Sequence, residues 1–375
     1  MLSGPMESLR PLVLILGPSR AAVSGVSTHL NALFGSSLER YFRLEQFQIG
    51  SQGRNETALR RAARLLASPF RLAAEIVRRD TAILHVNTSL DAGAYWRDLA
   101  YVLVAKLFGV RVLYQIHGGA LRVFGTRRAM RFILRRTLNW PDVVVVISQI
   151  ELESARSLAP RQPIVLLPNG ADCTALVSLE RAAAQPGAPL KLLYIGRLVR
   201  TKGLFESLEA LARLRRAGVA ARLVIAGTGP EEEALRRSVR SLGLERVVTF
   251  AGAAFGSRKL ELLAEAEVLL LPTYHLEGLP YALLEGMAAG LVPVVTRVGA
   301  IPDVAKPDVH GVYVPPRDPE ALARALHALA ADRARLARMG AAARQRVAKD
   351  YSVERLAGDF SALYRVLAGP VRLAA

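Results

Sequence analysis

The chain has 375 residues, which suits two domains, and 51% of them are hydrophobic, enough for two buried cores and too many for a disordered chain. Its net charge of +18 calls for an anionic partner, whether nucleic acid, a membrane surface or a phosphorylated substrate, with an arginine-rich genome as the plain alternative. The single Cys173 excludes a disulfide within the chain, and no run reaches the roughly 18 apolar residues of a spanning helix, so a cytoplasmic protein without a membrane span is expected.

In chain order, the first apolar run is 12–16, closed by Gly17-Pro18-Ser19; it reads as a buried strand and is too short for a signal peptide. Similar runs follow at 82–86, 110–116, 142–147 and 163–167, with helical stretches at 57–79 and 95–108. Pro168-Asn169-Gly170 closes this set, and an Ala-rich polar stretch makes 171–188 the expected linker. A second set of runs covers 190–195, 221–226, 247–250, 267–272, 291–296 and 311–314, alternating with helices at 204–217, 231–242 and 318–330. Continuous rather than alternating apolar runs suit strands buried on both faces, and strand–helix repetition implies parallel sheets with right-handed crossovers. The fold class is α/β, with domains at 1–170 and 189–350 and a terminal segment at 351–375.

Four segments at strand ends carry candidate chemistry. Ser24-Gly25-Val26-Ser27-Thr28 follows the first strand, where Gly25 lets the backbone approach a ligand at a helix N-terminus. Gln115-Ile116-His117-Gly118-Gly119 ends strand 110–116, and His117 is placed to hydrogen-bond a ligand. His85 and Asn87 end strand 82–86 and are candidates for lining an acceptor side, while His29, His275, His310 and His327 read as structural or surface residues. Gly196-Arg197-Leu198-Val199-Arg200-Thr201-Lys202-Gly203 follows strand 190–195, so Arg197 and Lys202 bring two cations to a strand end, where they would stabilise a departing diphosphate; an ordinary basic loop is the alternative. Then Glu277-Gly278-Leu279-Pro280 leads into a helix through Tyr281–Ala289, with Pro280 suited to its first turn. The N–H groups near Gly278, Leu279 and Tyr281 suit a phosphate. Glu285 lies two turns beyond Glu277, about 80° around the helix, and two such carboxylates could bind sugar and ribose hydroxyls or simply line a solvated face.

Other chemistries lack their marks: there is no Asp-x-Asp clamp, HExxH, Cys cluster or G-x-S-x-G, so a metal-independent mechanism without cofactor is expected.

These motifs together resemble the retaining glycosyltransferases of family four, which have the GT-B fold of two Rossmann-like domains facing a cleft. The resemblance runs through Gly196-Arg197-Leu198, Lys202-Gly203, Ala226-Gly227-Thr228-Gly229-Pro230, the Glu277–Glu285 pair, Gly290-Leu291-Val292-Pro293-Val294-Val295 and Val298-Gly299-Ala300-Ile301-Pro302-Asp303. Pro168-Asn169-Gly170-Ala171-Asp172 resembles the interdomain segment. It covers roughly 12–365, strongly from 168 onward. It implies that Arg197 and Lys202 bind the donor diphosphate, with Gly196 in the same loop. Glu277 would hold donor-sugar hydroxyls and Glu285 the ribose, beside Gly278 and Leu279. Gly25 would approach the phosphates or acceptor, and His117 would contact the donor sugar. The anomeric configuration would be kept, and the last helix, at about 351–367, would return to the first domain. Two positions depart from the pattern: Ser24-Gly25 stands where a glycine pair is common, and Gly286 where Ala is usual.

The first half carries more of the excess charge, 22 basic against 11 acidic residues over 1–170 and 28 against 21 over 171–375. Arg60, Arg64, Arg71 and Arg78 fall on one helical stripe, with Leu59, Leu66, Phe70 and Ile76 elsewhere. Arg127, Arg128, Arg131 and Arg135 repeat the arrangement beside Met130, Phe132, Ile133 and Leu134. Such helices suit an anionic membrane surface, or a solvated face over a packed core. The expected activity is sugar transfer from a UDP- or GDP-sugar to a lipid-linked glycan acceptor in bacterial cell-surface polysaccharide synthesis. A basic nucleic-acid-binding protein is a rival, but no RRM, KH or zinc-finger signature appears, so nucleic acid is not expected as a partner. A nicotinamide oxidoreductase lacks its GxGxxG, and a sugar-nucleotide epimerase of the same fold stays open.

Overall fold

The structure is a computed structural model and describes residues 10–50, 56–90, 92–118, 121, 128–179, 187–275 and 278–369. The chain forms two compact units, one of Met1–Gly170 with Val353–Ala375 and one of Ala171–Ser352.

In the first unit the described elements run β1 (Leu12–Gly17), α1 (Gly25–Phe34), β2 (Arg43–Gln48), α2 (Ala58–Arg79), β3 (Thr81–Thr88), α3 (Ala92–Leu107), β4 (Arg111–Ile116), α4 (Arg128–Thr137), β5 (Val143–Val146), α5 (Gln149–Leu158) and β6 (Ile164–Leu166). The second unit adds α6 (Thr174–Val177), β7 (Leu190–Ile195), α7 (Leu204–Arg216), β8 (Ala221–Ala226), α8 (Glu232–Ser241), β9 (Val248–Gly252), α9 (Gly256–Glu265), β10 (Val268–Leu271), α10 (Tyr281–Ala288), β11 (Val292–Val295), α11 (Ile301–Val304), β12 (Val312–Tyr313), α12 (Pro319–Ala331) and α13 (Arg333–Asp350). The last helix, α14 (Val353–Ala368), belongs to the first unit.

Each unit is a six-stranded parallel sheet, ordered β2-β1-β3-β4-β5-β6 in the first and β12-β11-β10-β7-β8-β9 in the second. The runs of Val, Leu and Ile become strands because both sheet faces are covered: β1, β5, β10 and β11 are buried along their whole length. β2 escapes the apolar-run criterion. It reads Arg-Leu-Glu-Gln-Phe-Gln, lies at a sheet edge, and every residue in it is half-buried.

Sequence signals set the helix ends. Ser24, Thr57, Ser148 and Asp318 cap α1, α2, α5 and α12 by accepting a backbone N–H two or three residues into the helix. α2 stops at Asp80, which adopts the left-handed conformation with φ 52°.

In both sheets the chain leaves the central strands in opposite directions. The reversal falls between β1 and β3 in the first unit and between β7 and β10 in the second. Ligands of doubly wound sheets bind at such points, outside the carboxyl ends of the strands.

α14 completes one core of the first unit. Leu356, Phe360 and Tyr364 join Val13, Ile15, Leu33, Ile83 and Leu113. The described part of 171–188 is not a free spacer: Ala171 donates its N–H to the Tyr351 carbonyl at 2.8 Å, and Arg344 reaches the Val177 carbonyl at 3.1 Å, so 171–179 pack within the second unit. Among the described residues, no helix is long and apolar enough to cross a membrane.

Candidate active site

The switch point of the second unit gathers three loops. After β7 the chain enters Gly196–Gly203, after β8 Gly227–Pro230, and after β10 the segment from Pro272 to the start of α10. Main-chain hydrogen bonds stitch them together. The Leu198 N–H donates to Thr228 O at 2.9 Å, and the Glu231 N–H to Leu198 O at 3.1 Å. The N–H groups of Tyr274 and His275 both donate to Thr201 O, at 2.9 and 3.1 Å, and the Tyr274 hydroxyl donates to Arg200 O at 2.9 Å.

Glycine makes this approach possible. A Cβ on Gly227 would stand 1.8 Å from the Gly196 carbonyl oxygen, and one on Gly203, with φ +78°, 2.2 Å from the Pro272 carbonyl oxygen. Gly286 lets α10 close on β10, because a Cβ there would meet Leu269 Cδ2 at 2.9 Å.

The expected residues take these places. Gly196 turns the chain out of β7, and Arg197 follows with an exposed side chain while its carbonyl accepts from the Tyr194 hydroxyl at 2.7 Å. Lys202 is half-buried in a one-turn 3₁₀ helix, Arg200–Lys202. Gly278 accepts the Ala300 N–H at 3.0 Å, and Leu279 is buried. Pro280 precedes α10 as its N-cap rather than opening its first turn, and the helix ends at Ala288. Pro280 offers no side-chain hydrogen bond to this end, and α10 starts beyond the carboxyl end of β10 at the switch point. Glu277 lies outside the described residues. Glu285 is half-buried in α10 and ion-paired to Lys259 of α9 at 2.6 Å. Burial, reinforced by the Glu285 carboxylate, pushes the Tyr281 phenol well above its ordinary range.

At the first unit's switch point, Gly25 is the first residue of α1, and a Cβ there would meet nothing within 4 Å. Ser24 fixes the loop through hydrogen bonds to the Ser27 N–H (3.1 Å) and hydroxyl (2.9 Å). His117 follows β4, half-buried, with Nε2 2.6 Å from Asn87 Oδ1. His85 does not line an open surface. It is fully buried, with Nδ1 2.7 Å from the Tyr364 hydroxyl and Nε2 2.9 Å from Gln115 Oε1, because β3 is central and α14 covers it. Asn87 is buried as well. His29 is also fully buried, 3.0 Å from the same Gln115 oxygen, with its ring 4.7 Å from that of His117 in an edge-on arrangement. Burial holds all three imidazoles neutral, lowering His29 to about 4 and His85 to about 3, and His117 well below the ordinary range.

Residues 32–175 match the family model described as Glycosyltransferase Family 4, and residues 179–346 match that described as Glycosyl transferases group 1. A GDP-mannose-dependent alpha-(1-6)-phosphatidylinositol monomannoside mannosyltransferase from Mycobacterium tuberculosis (strain ATCC 25618 / H37Rv) is 30% identical over 275 residues, which are 70% of this chain and 71% of that protein. The chain belongs to glycosyltransferase family 4. It is also 34% identical over 233 residues to WcaL of Escherichia coli (strain K12), provisionally assigned as a colanic acid biosynthesis glycosyltransferase; the match covers 60% of this chain and 57% of WcaL, a little over half that relative's length. The structure of Anabaena HepE in complex with UDP-glucose superposes with a TM-score of 0.72 over 95% of this chain and 99% of that one, and at 16% identity it speaks for the fold, which is GT-B.

This family 4 chain also carries groups its motifs do not announce. Lys259, which holds Glu285, comes from a helix 26 residues earlier and has no local signal. Gln115 and Tyr364 meet His85 across 30 and 279 residues.

The outward faces of its first-unit helices carry apolar as well as basic side chains. In α2 only Ser68, Leu72 and Ile76 are buried, while Leu59, Leu66, Phe70 and Val77 are 81%, 77%, 79% and 65% exposed. At about 100° per residue these four lie within about 20° of one line. Arg60, Arg71 and Arg78 are exposed beside them, whereas Arg64 is half-buried, hydrogen-bonded to Glu56 at 2.9 Å. α3 packs beside α2 and shows Trp96, Leu103 and Leu107 on the same spacing. α4 exposes Phe132 with Arg128, Arg131 and Arg135 and buries Leu134; Arg127 lies outside the described residues.

Proposed function

We propose that this chain is a retaining hexosyltransferase that moves a sugar from a UDP- or GDP-sugar to a lipid-linked glycan acceptor in bacterial cell-surface polysaccharide synthesis. The observation that carries the reading is the β7–β10 switch point, where exposed Arg197, half-buried Lys202 and the N-terminal end of α10 lie on the loops that follow β7 and β10. These groups suit a diphosphate: fixed cations and helix N–H groups stabilise the charge that builds as the sugar–phosphate bond breaks. In this reading Glu277 holds sugar hydroxyls and His117 contacts the donor sugar. Glu285 binds the ribose hydroxyls once Lys259 shares it, and Gly25 leaves room for phosphate or acceptor.

The names of two similar proteins support a nucleotide-sugar donor, one GDP-mannose-dependent and one seen with UDP-glucose. The leaving group is stabilised by cations and backbone N–H groups without a resident metal or cofactor, so turnover in EDTA is expected to equal that in its absence. Thermal shift and nucleotide release with a panel of UDP-, GDP- and ADP-sugars test the reading. One nucleotide is expected to raise the melting temperature, and Arg197→Ala to cut turnover by on the order of 10²–10³. No response to any of them, with membrane extract supplied as acceptor, would sink it.

The acceptor side rests on α2 and α3. An outward line of Leu59, Leu66, Phe70 and Val77 flanked by Arg60, Arg71 and Arg78 fits the headgroup boundary of an anionic bilayer, with about 1 kcal/mol per nearby basic residue. We assign the basic excess to this peripheral contact at the cytoplasmic face, and to the donor, rather than to nucleic acid. Phe70→Glu is expected to abolish co-sedimentation with phosphatidylglycerol vesicles; equal binding by the variant would remove α2 from the interface.

A further inference from the structure

We propose that Asn87 is a positioning residue that fixes His117 as its Nε2–H tautomer, so that His117 offers the Nδ1 lone pair to a sugar hydroxyl. The inference rests on the reading of His117 as a donor-sugar contact.

The constraint begins at the Leu16 carbonyl in β1, which can only accept. Asn87 Nδ2 donates to it at 3.0 Å, and that bond orients the amide. The amide oxygen therefore faces His117, with Oδ1 2.6 Å from Nε2. An oxygen at that distance requires the proton on Nε2. Turning the amide over would set its oxygen against the Leu16 carbonyl oxygen and leave Asn87, 3% exposed, with no water to replace the lost bond. The frame around the ring is equally fixed. The His117 N–H donates to Thr88 O at 2.8 Å, and the His29 ring closes one side.

A neutral imidazole carries one proton. Burial beside His29 and His85 disfavours the second, so with Nε2 protonated Nδ1 is a bare acceptor. Nδ1 has no hydrogen-bond partner among the described residues. The next residue, Gly118, brings no side chain, and a Cβ there would meet nothing within 4 Å. A bare nitrogen accepts from a hydroxyl and repels a carboxylate or phosphate oxygen. This assigns His117 to a sugar O–H rather than to a phosphate oxygen. A sugar lacking that hydroxyl would leave Nδ1 unsatisfied, which is how a site built to accept one hydrogen bond discriminates.

Long-range ¹H–¹⁵N correlation of ¹⁵N-histidine-labelled full-length protein at pH 7, with His117→Gln assigning the ring, reads the tautomer without substrate. Wild type is expected to show protonated Nε2 and bare Nδ1, and Asn87→Ala a mixture of tautomers. If that variant does not fold, Asn87→Asp takes its place. A carboxylate favours imidazolium, so the acid limb of kcat/KM is expected to move to higher pH, a change a purely structural role would not produce. In turnover, Asn87→Ala is expected to lose on the order of tenfold in kcat with KM for the donor little changed. Protonated Nδ1 in wild type, or an unchanged Nε2–H tautomer in folded Asn87→Ala, would overturn the proposal. Failure of the glycosyltransferase reading appears separately, as absence of response to the nucleotide-sugar panel while the tautomer remains as assigned.

Discussion

The two switch points do the same topological job with different materials. In the second unit, backbone carbonyls and N–H groups of Gly196–Gly203, Gly227–Pro230 and Pro272–His275 lock to one another, and glycines let them close to within contact. In the first unit the corresponding region is held by side chains: His29 and His85 share Gln115, His85 meets Tyr364, and Asn87 bridges Leu16 to His117. A main-chain lock tolerates almost no added atom, whereas a side-chain network tolerates atoms but depends on its protons. The second unit's switch point should therefore fail by substitution at glycine and the first unit's by acid.

The sharpest test of the main-chain lock is Gly227→Ala. Its Cβ would overlap the Gly196 carbonyl oxygen at 1.8 Å, at a φ of +152° that side-chain-bearing residues rarely adopt. Neither strand end can retreat without breaking the β7–β8 ladder, so the loss is expected to exceed about 4 kcal/mol. Circular dichroism in urea measures it. A fully folded variant with a near-native midpoint would show that the loop has slack and would dissolve the contrast.

The side-chain network should respond to pH. His29 is lowered to about 4 and His85 to about 3 by burial, against 6.5 when unfolded. Groups with depressed imidazole values bind fewer protons folded than unfolded. Their contribution is therefore complete above about 6.5 and is lost as the pH falls toward those folded values. Each costs at most about 1.4 kcal/mol per pH unit, so the first unit should lose about 2 kcal/mol between pH 6 and 5. Tryptophan fluorescence isolates this unit, because the chain's two tryptophans, Trp96 and Trp140, both lie in it. A urea midpoint unchanged from pH 7 to pH 5 would mean that the histidines are not held neutral by burial.

The same difference explains what was legible in the sequence. Glycines forced by main-chain approach must sit at fixed places, so Gly196, Gly203, Gly227 and Gly229 read as a motif, and the apolar runs between them located all six strands of the second sheet. In the first unit the partners of His85 are 30 and 279 residues away, a separation that local pattern does not carry, and the fully buried ring reads in sequence like a strand-end ligand. β2 was missed because a half-buried edge strand needs no apolar run. The outward line on α2 was hidden by periodicity itself: Leu59, Leu66 and Phe70 repeat at helical spacing whichever way they face, and only packing shows that Leu72 and Ile76 form the inner side.

The smallest expected effect is the most discriminating. Gly25 stands at the first unit's switch point like the glycines of the second, yet a Cβ there would meet nothing within 4 Å, and its backbone is not left-handed. As the first residue of α1 it gains helix propensity when replaced by alanine, so Gly25→Ala should change stability by less than about 0.5 kcal/mol. If the open space beside it receives a phosphate or acceptor group, the same methyl should reduce turnover while the midpoint stays put. A variant equal to wild type in both would leave Gly25 as a helix start alone. A destabilised one would mean that the loop closes more tightly than its geometry indicates, making the two switch points alike after all.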